Sequence, residues 1–172
     1  MKKGIILTVF LLTGGIIIAQ TDTSDESAIN ARVDAMIYSW NHHNYDDLKN
    51  YTTENTDWVN VVGMWWKGRK ESQYAHQVYH NTIFKTAVME KKSVVIRFIT
   101  KDVAIAHVFM HSYNSDPHPA PLPDGKNPGP TDALATLVFV NQDGKWLMTA
   151  GENVIIDKDA APFDPIKQMP NN

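Results

Sequence analysis

Hydrophobic and polar positions recur along this chain with two different periods. Ile29, Val33, Met36, Ile37 and Trp40 return at helical spacing, which predicts an amphipathic helix from Ser24 to His42. "TSDE" at its start is a capping box, with Thr23 facing the first amides and Glu26 reaching back. "HHNYDDL" interrupts the pattern. Asn44 and Asp47 form a second cap there, and Tyr45, Leu48 and Tyr51 predict a short second helix. "TDWVNVVGMWW" (56–66) is β-branched and aromatic and is expected to be one strand. "KGR" turns the chain into a third helix, Lys70 to Thr82. Beyond it the period drops from 3.6 to 2. Four strands are expected at 87–99, 103–114, 133–142 and 145–156. Tight turns at Lys101-Asp102 and Asp143-Gly144 join neighbours among them. The connection 116–130 holds six prolines and reads as an extended loop. The tail from Asp159 has no period. Helices followed by an antiparallel meander give an α+β class. The expected shape is a curved antiparallel sheet with three N-terminal helices over one face and a cavity between the layers.

Composition narrows this picture. "MKKGIILTVFLLTGGIIIAQ" has a basic start, a short apolar run and a small residue at Ala19, the pattern of a cleaved signal peptide. The expected organisation is a leader at 1–19, one domain at 20–156 and an irregular tail at 157–172, in a secreted or periplasmic protein. No cysteine occurs, which excludes a lipidated N-terminal cysteine and disulfide staples. Net charge is −3 and no basic stripe is present, so nucleic acid is not an expected partner. No second long apolar segment follows the leader, so no membrane partner is expected after cleavage. Five Trp, six Tyr and six Phe are enough to wall a pocket or fill a core.

The candidate chemistry lies in the histidines. His76 and His80 stand four apart in a predicted helix and share one face. The run H-Q-V-Y-H differs from the zinc-protease motif H-E-x-x-H, because Gln77 cannot act as its base. His107 and His111 share one face of a predicted strand with Ile105, Phe109 and Tyr113. A helix pair facing a strand pair can gather three or four imidazoles, a set that zinc or copper accepts. The alternative is an acid–base site, since a buried neutral imidazole takes and returns protons. No Ser-His-Asp or Cys-His arrangement, dinucleotide fingerprint or redox cysteine is visible.

"WNHHNYDDL", "DWVNVVGMWWKGR", "AHQVYHNTIF", "DVAIAHV" and "DGKWLMTAGEN" together resemble the SgcJ/EcaC-type branch of the nuclear transport factor 2-like (SnoaL-like, ketosteroid-isomerase-like) superfamily. The resemblance covers roughly 26–156 and implies a cone-shaped α+β barrel and a homodimer through the sheet. That fold hosts isomerases, dehydratases, hydrolases, ligand binders and association modules. The expected function is a small-molecule pocket protein acting without cofactor or metal on an apolar organic compound. His76, His80 and His107 are the expected acid–base groups. His43, Trp65, Phe84, Phe109, His111 and Asn153 are the expected ligand-binding residues. Binding of a ligand or metal without turnover, and simple association, are the competing readings.

Overall fold

A computed structural model describes residues 23–116 and 129–170. The expected leader and most of the proline-rich connection lie outside the described residues, and so does the side chain of Thr23, one half of the expected capping box.

Helix α1 spans Thr23–Asn41 and helix α2 spans Gly68–His80. Six strands form one sheet: β1 Thr52–Val59, β2 Trp65–Trp66, β3 Ala87–Thr100, β4 Val103–Asn114, β5 Thr131–Gln142 and β6 Lys145–Ile155. Their spatial order is β2-β1-β6-β5-β4-β3. All neighbours are antiparallel except β1 and β6, which run parallel. The four-strand meander thus forms where the period-2 pattern predicts it, closed by Lys101-Asp102 and by Asp143-Gly144, both of the latter at positive φ.

Two expectations need correction. The second helix is only a 3-10 turn, Leu48–Asn50, because Thr52 Oγ1 bonds the Leu48 carbonyl at 2.7 Å and the chain enters β1 at once. Two α-helices rather than three therefore cover the sheet. The strand expected at 56–66 is broken into β1 and β2 by a tight turn. Asn60 Oδ1 accepts from the amides of Val62 and Met64, and Gly63 takes φ 81°.

One face of the sheet carries small and apolar side chains against the helices: Ala104, Ala106 and Val108 of β4, Ala135, Leu137 and Phe139 of β5, Trp146 and Met148 of β6. Ile29 and Val33 of α1 are fully buried against them. Polar bonds set the helix in place. Trp146 Nε1 donates to Asp25 Oδ1 at 2.8 Å, and Asn41 pairs through its amide with both backbone groups of Met89 at 2.8 and 2.9 Å. A bulge in β6 near Thr149 resets the alternation, so Met148, Gly151 and Asn153 all turn inward. Gly151 lets Trp58 lie against the strand: a Cβ there would fall 2.6 Å from Trp58 Cε3.

Candidate functional site

Between α2, the end of α1, β1–β2 and the sheet lies a cavity of about 590 Å³. That size suits a small organic ligand. Met36, Leu48, Ile83, Met89, Met110 and Met148 supply apolar wall, and Trp40, Trp58, Trp66 and Phe84 supply aromatic wall. No Asp, Glu, Lys or Arg lines it among the described residues. The buried polar atoms Trp40 Nε1, Thr56 Oγ1 and Ser72 Oγ on its walls have no hydrogen-bond partner within the protein. Buried polar groups are nearly always paired, so these atoms call for water or a ligand.

His76 and His80 both enter this space, as their helical spacing predicts. They do different work. His76 Nδ1 lies 2.7 Å from the Ser72 carbonyl. A carbonyl only accepts, so Nδ1 carries the proton and Nε2 keeps a lone pair with no hydrogen bond among the described residues. Three aromatic rings surround the imidazole. Tyr45 stacks at 4.9 Å, while Trp66 and Trp58 approach edge-on at 4.9 and 5.3 Å. Burial pushes the ring down to about 4, and the Ser72 carbonyl offsets part of that fall.

His80 is 2% exposed and uses both nitrogens. Nδ1 lies 2.8 Å from His43 Nδ1, and Nε2 lies 3.0 Å from the Tyr45 hydroxyl. Tyr45 is held protonated, its pKa raised well above the usual phenol value by burial and then by Tyr51 and Asp47 nearby. Among the described residues the hydroxyl has no other hydrogen-bond partner, so it donates to His80 Nε2. His80 then donates from Nδ1 to His43 Nδ1, and the chain runs Tyr45 to His80 to His43. Burial, with His43 and His76 adding to it, lowers His80 to about 3. His43 is lowered by burial and by His42. All three rings in the chain are therefore neutral near pH 7.

Gln77 clamps this arrangement from α2. Its Oε1 accepts from the Tyr45 amide at 3.1 Å, and its Nε2 donates to the His43 carbonyl at 3.0 Å. The clamp holds His43 at φ 49°, a left-handed conformation that aims its ring at His80. A glutamate cannot make both bonds. This is the structural reason for H-Q-V-Y-H.

The other expected site residues divide. Phe84 and Asn153 line the cavity, and His43 reaches it through His80. Trp65 does not line it; its ring is exposed with Lys67 Nζ 4.3 Å from its centroid, and Trp66 faces the cavity instead. His107, His111 and Phe109 lie on the outer sheet face. His107 pairs with Thr136 at 3.3 Å and His111 with Asp132 at 2.7 Å. The strand alternation was correct, but the face was not. The small side chains of β4, not the aromatic ones, turn toward the helices, because α1 packs close over the sheet. The four imidazoles therefore never meet, and no group of three or more metal-ligating side chains forms among the described residues. Tyr45, Trp58, Ser72 and Gln77 were missed as site residues. Two of them left a readable signal: Ser72 stands four before His76, and Gln77 stands where the zinc-protease motif has glutamate.

No family model and no curated protein matches the chain. Solved structures do. An uncharacterised protein with a cystatin-like fold from Caulobacter vibrioides superposes with a TM-score of 0.77 at 31% identity, over 85% of this chain and 99% of that one. The chain belongs to the family of this protein and shares its cystatin-like fold. A nuclear transport factor 2-like protein with a cystatin-like fold from Novosphingobium aromaticivorans matches at TM-score 0.66 and 14% identity, over 81% and 86% of the two chains. The hexachlorocyclohexane dehydrochlorinase LinA, type 2, matches at TM-score 0.62 and 13% identity, over 78% and 87%. At those identities the likeness is one of fold. Within this fold the sheet wraps the helices and leaves its cavity where His76 and His80 stand.

Proposed function

We propose that this nuclear transport factor 2-like chain takes a small, neutral, largely apolar organic molecule into its cavity and moves a proton on it, without a cofactor. One observation carries the reading: among the described residues the cavity is uncharged and aromatic, and one imidazole nitrogen in it, His76 Nε2, keeps its lone pair free. In the reaction, Nε2 takes a proton from carbon and the C–H electron pair becomes a double bond. Either a leaving group on the next carbon departs with its own electron pair and the imidazolium gives its proton to water, an elimination, or an existing conjugated double bond shifts its pair to a further carbon, which takes the proton back, an isomerisation. The imidazolium formed lies stacked on the face of Tyr45, and an aromatic face attracts a cation by about 0.5–2 kcal/mol. LinA, by its name a dehydrochlorinase, carries out an elimination on this fold, which supports the class and not the substrate. His107 has no part in this proposal.

A second reading, binding without turnover, has its own support. No carboxylate among the described residues orients His76, and a base lowered to about 4 is weak. Exchange of acidic C–H protons separates the two. The chain should catalyse deuterium exchange into neutral ketones that bind the cavity, and His76→Gln should abolish exchange while leaving binding within a fewfold. Binding that survives with no exchange in the wild type establishes the second reading. Absence of any apolar ligand binding overturns both.

We also place the chain in the SgcJ/EcaC-type branch, on the strength of "VNVVGMWWKG". We propose further that it is exported, and that it pairs with a second copy through the outer sheet face, where Val95, Phe109 and Val154 are exposed.

A further inference from the structure

The mouth of the cavity is edged by the turn between β1 and β2. Its backbone is locked: Asn60 Oδ1 holds the amides of Val62 and Met64 at 3.1 and 2.9 Å, and the Asn60 amide bonds the Met64 carbonyl at 3.0 Å. A turn built this way is usually polar. This one presents Val61, Val62, Met64 and Trp65, exposed by 40, 69, 49 and 56%. Val61 and Val62 also line the cavity, so the apolar tip is continuous with the cavity wall. Rigid, contiguous, exposed apolar side chains mark an interaction surface. The chain is acidic overall, yet residues 60–70 contain Lys67, Arg69 and Lys70 and no acid, and the carboxylate that follows, Glu71, is tied to the Lys67 amide at 2.7 Å. Arg69 is held inward by the Thr52 hydroxyl and carbonyl at 3.2 and 2.8 Å, which leaves Lys67 and Lys70 at the surface.

We propose that this tip docks on an anionic lipid surface, with Val61 to Trp65 at the boundary of headgroups and acyl chains and Lys67 and Lys70 against the phosphates. The chemistry matches on both sides. Trp favours that boundary, and lysine stems lie along apolar surface while their ammonium groups reach anionic headgroups. No described helix is long and apolar enough to cross a membrane, so the protein lies on the surface there. The sequence alone predicts no membrane partner, and the proposal departs from that expectation. Docking does not depend on the proposed chemistry. If that chemistry holds, the mouth faces the apolar phase, and a poorly soluble ligand enters without crossing water.

The test is sedimentation with phosphatidylcholine vesicles, with and without phosphatidylglycerol, at low and high salt. The readout is the difference between wild type and a Met64→Ser/Trp65→Ser variant, so any contribution of the apolar leader cancels. Wild type should pellet with the anionic vesicles and release several-fold at high salt. The variant should partition about a hundredfold more weakly, about tenfold per lost apolar side chain. Should that variant unfold, Lys67→Glu/Lys70→Glu should erase the preference for phosphatidylglycerol with the fold intact by circular dichroism. Equal pelleting of wild type and the folded variants overturns the proposal. So does a tip photo-crosslinked at position 64 to a second copy while wild type ignores vesicles. Binding of an apolar fluorescent probe in vesicle-free buffer reads the cavity separately, so failure of docking and failure of the cavity reading are distinguishable.

Discussion

Gln77 shows how much one side chain organises here. It bonds the backbone on both sides of Asn44 and thereby fixes His43, Tyr45 and, through them, His80. Gln77→Glu keeps an acceptor for the Tyr45 amide but sets a carboxylate against the His43 carbonyl. The expected loss is about 1–3 kcal/mol, read as a lower melting temperature. An unchanged melting temperature would remove the clamp from the account. Tyr45→Phe takes the donor from His80 Nε2, and the His80 proton should then redistribute between its two nitrogens, visible in ¹⁵N shifts of labelled histidine. The two cavity histidines also set a pH dependence. Their folded values, about 4 for His76 and about 3 for His80, lie below the ordinary 6.5. Above pH 6.5 both rings are neutral folded or unfolded, and this stability is fully present. Below it the unfolded chain binds protons that the folded chain refuses, so stability falls as pH drops from 6.5 toward 4 and then 3. For His76 alone the difference is on the order of 3 kcal/mol. Urea unfolding at pH 7 and pH 4.5 checks this, and a midpoint independent of pH would refute it. Residue chemistry of this kind was only half legible in the sequence. Helical spacing put His76 and His80 on one face and Ser72 within reach of His76, but the partners of His80, His43 and Tyr45, come from 37 and 35 positions away in the chain.

Elements were read better than faces. The meander strands follow from simple alternation, and β4 matches its expected bounds, Val103–Asn114. Alternation cannot say which face turns inward, and here both faces of β4 are apolar. Bulk misled at Phe109, which looks like cavity wall, yet the close packing of α1 selects alanines. The break between β1 and β2 was signalled by Asn60 and Gly63, but the β-branched run around them outweighed it. Gly151 belongs to this scale, since it fits β6 to β1 by receiving the Trp58 ring. Gly151→Ala should push Trp58 into the cavity, cost about 1–3 kcal/mol of stability and weaken binding of apolar probes. Near-ultraviolet dichroism and probe titration together test it; unchanged probe affinity would mean that Trp58 has another resting place.

For the whole molecule, class and architecture were legible from the order of elements, and the 31% identity to the Caulobacter vibrioides structure agrees with them. The cavity was expected from the fold, whereas its lack of charged walls was not, because it depends on which side chains converge. The outer sheet face supplies the prediction at this scale. With Val95, Phe109 and Val154 exposed, sedimentation should give a dimer, and Val95→Glu with Phe109→Glu should give a monomer that keeps its cavity. A wild-type monomer at micromolar concentration would exclude pairing through that face.

The parallel pairing of β1 with β6 has a consequence in time. The strand that carries Trp58 is made early, and its partner is nearly the last part of the sheet to be made. The β3–β6 meander has only local connections and one longer loop, so it can form first. β1 can join only when β6 is present, after a large loop closure. Cavity and docking tip should therefore be the last parts to assemble. Mutations in the β4–β5 pairing should slow folding, while mutations in β1 should mainly speed unfolding.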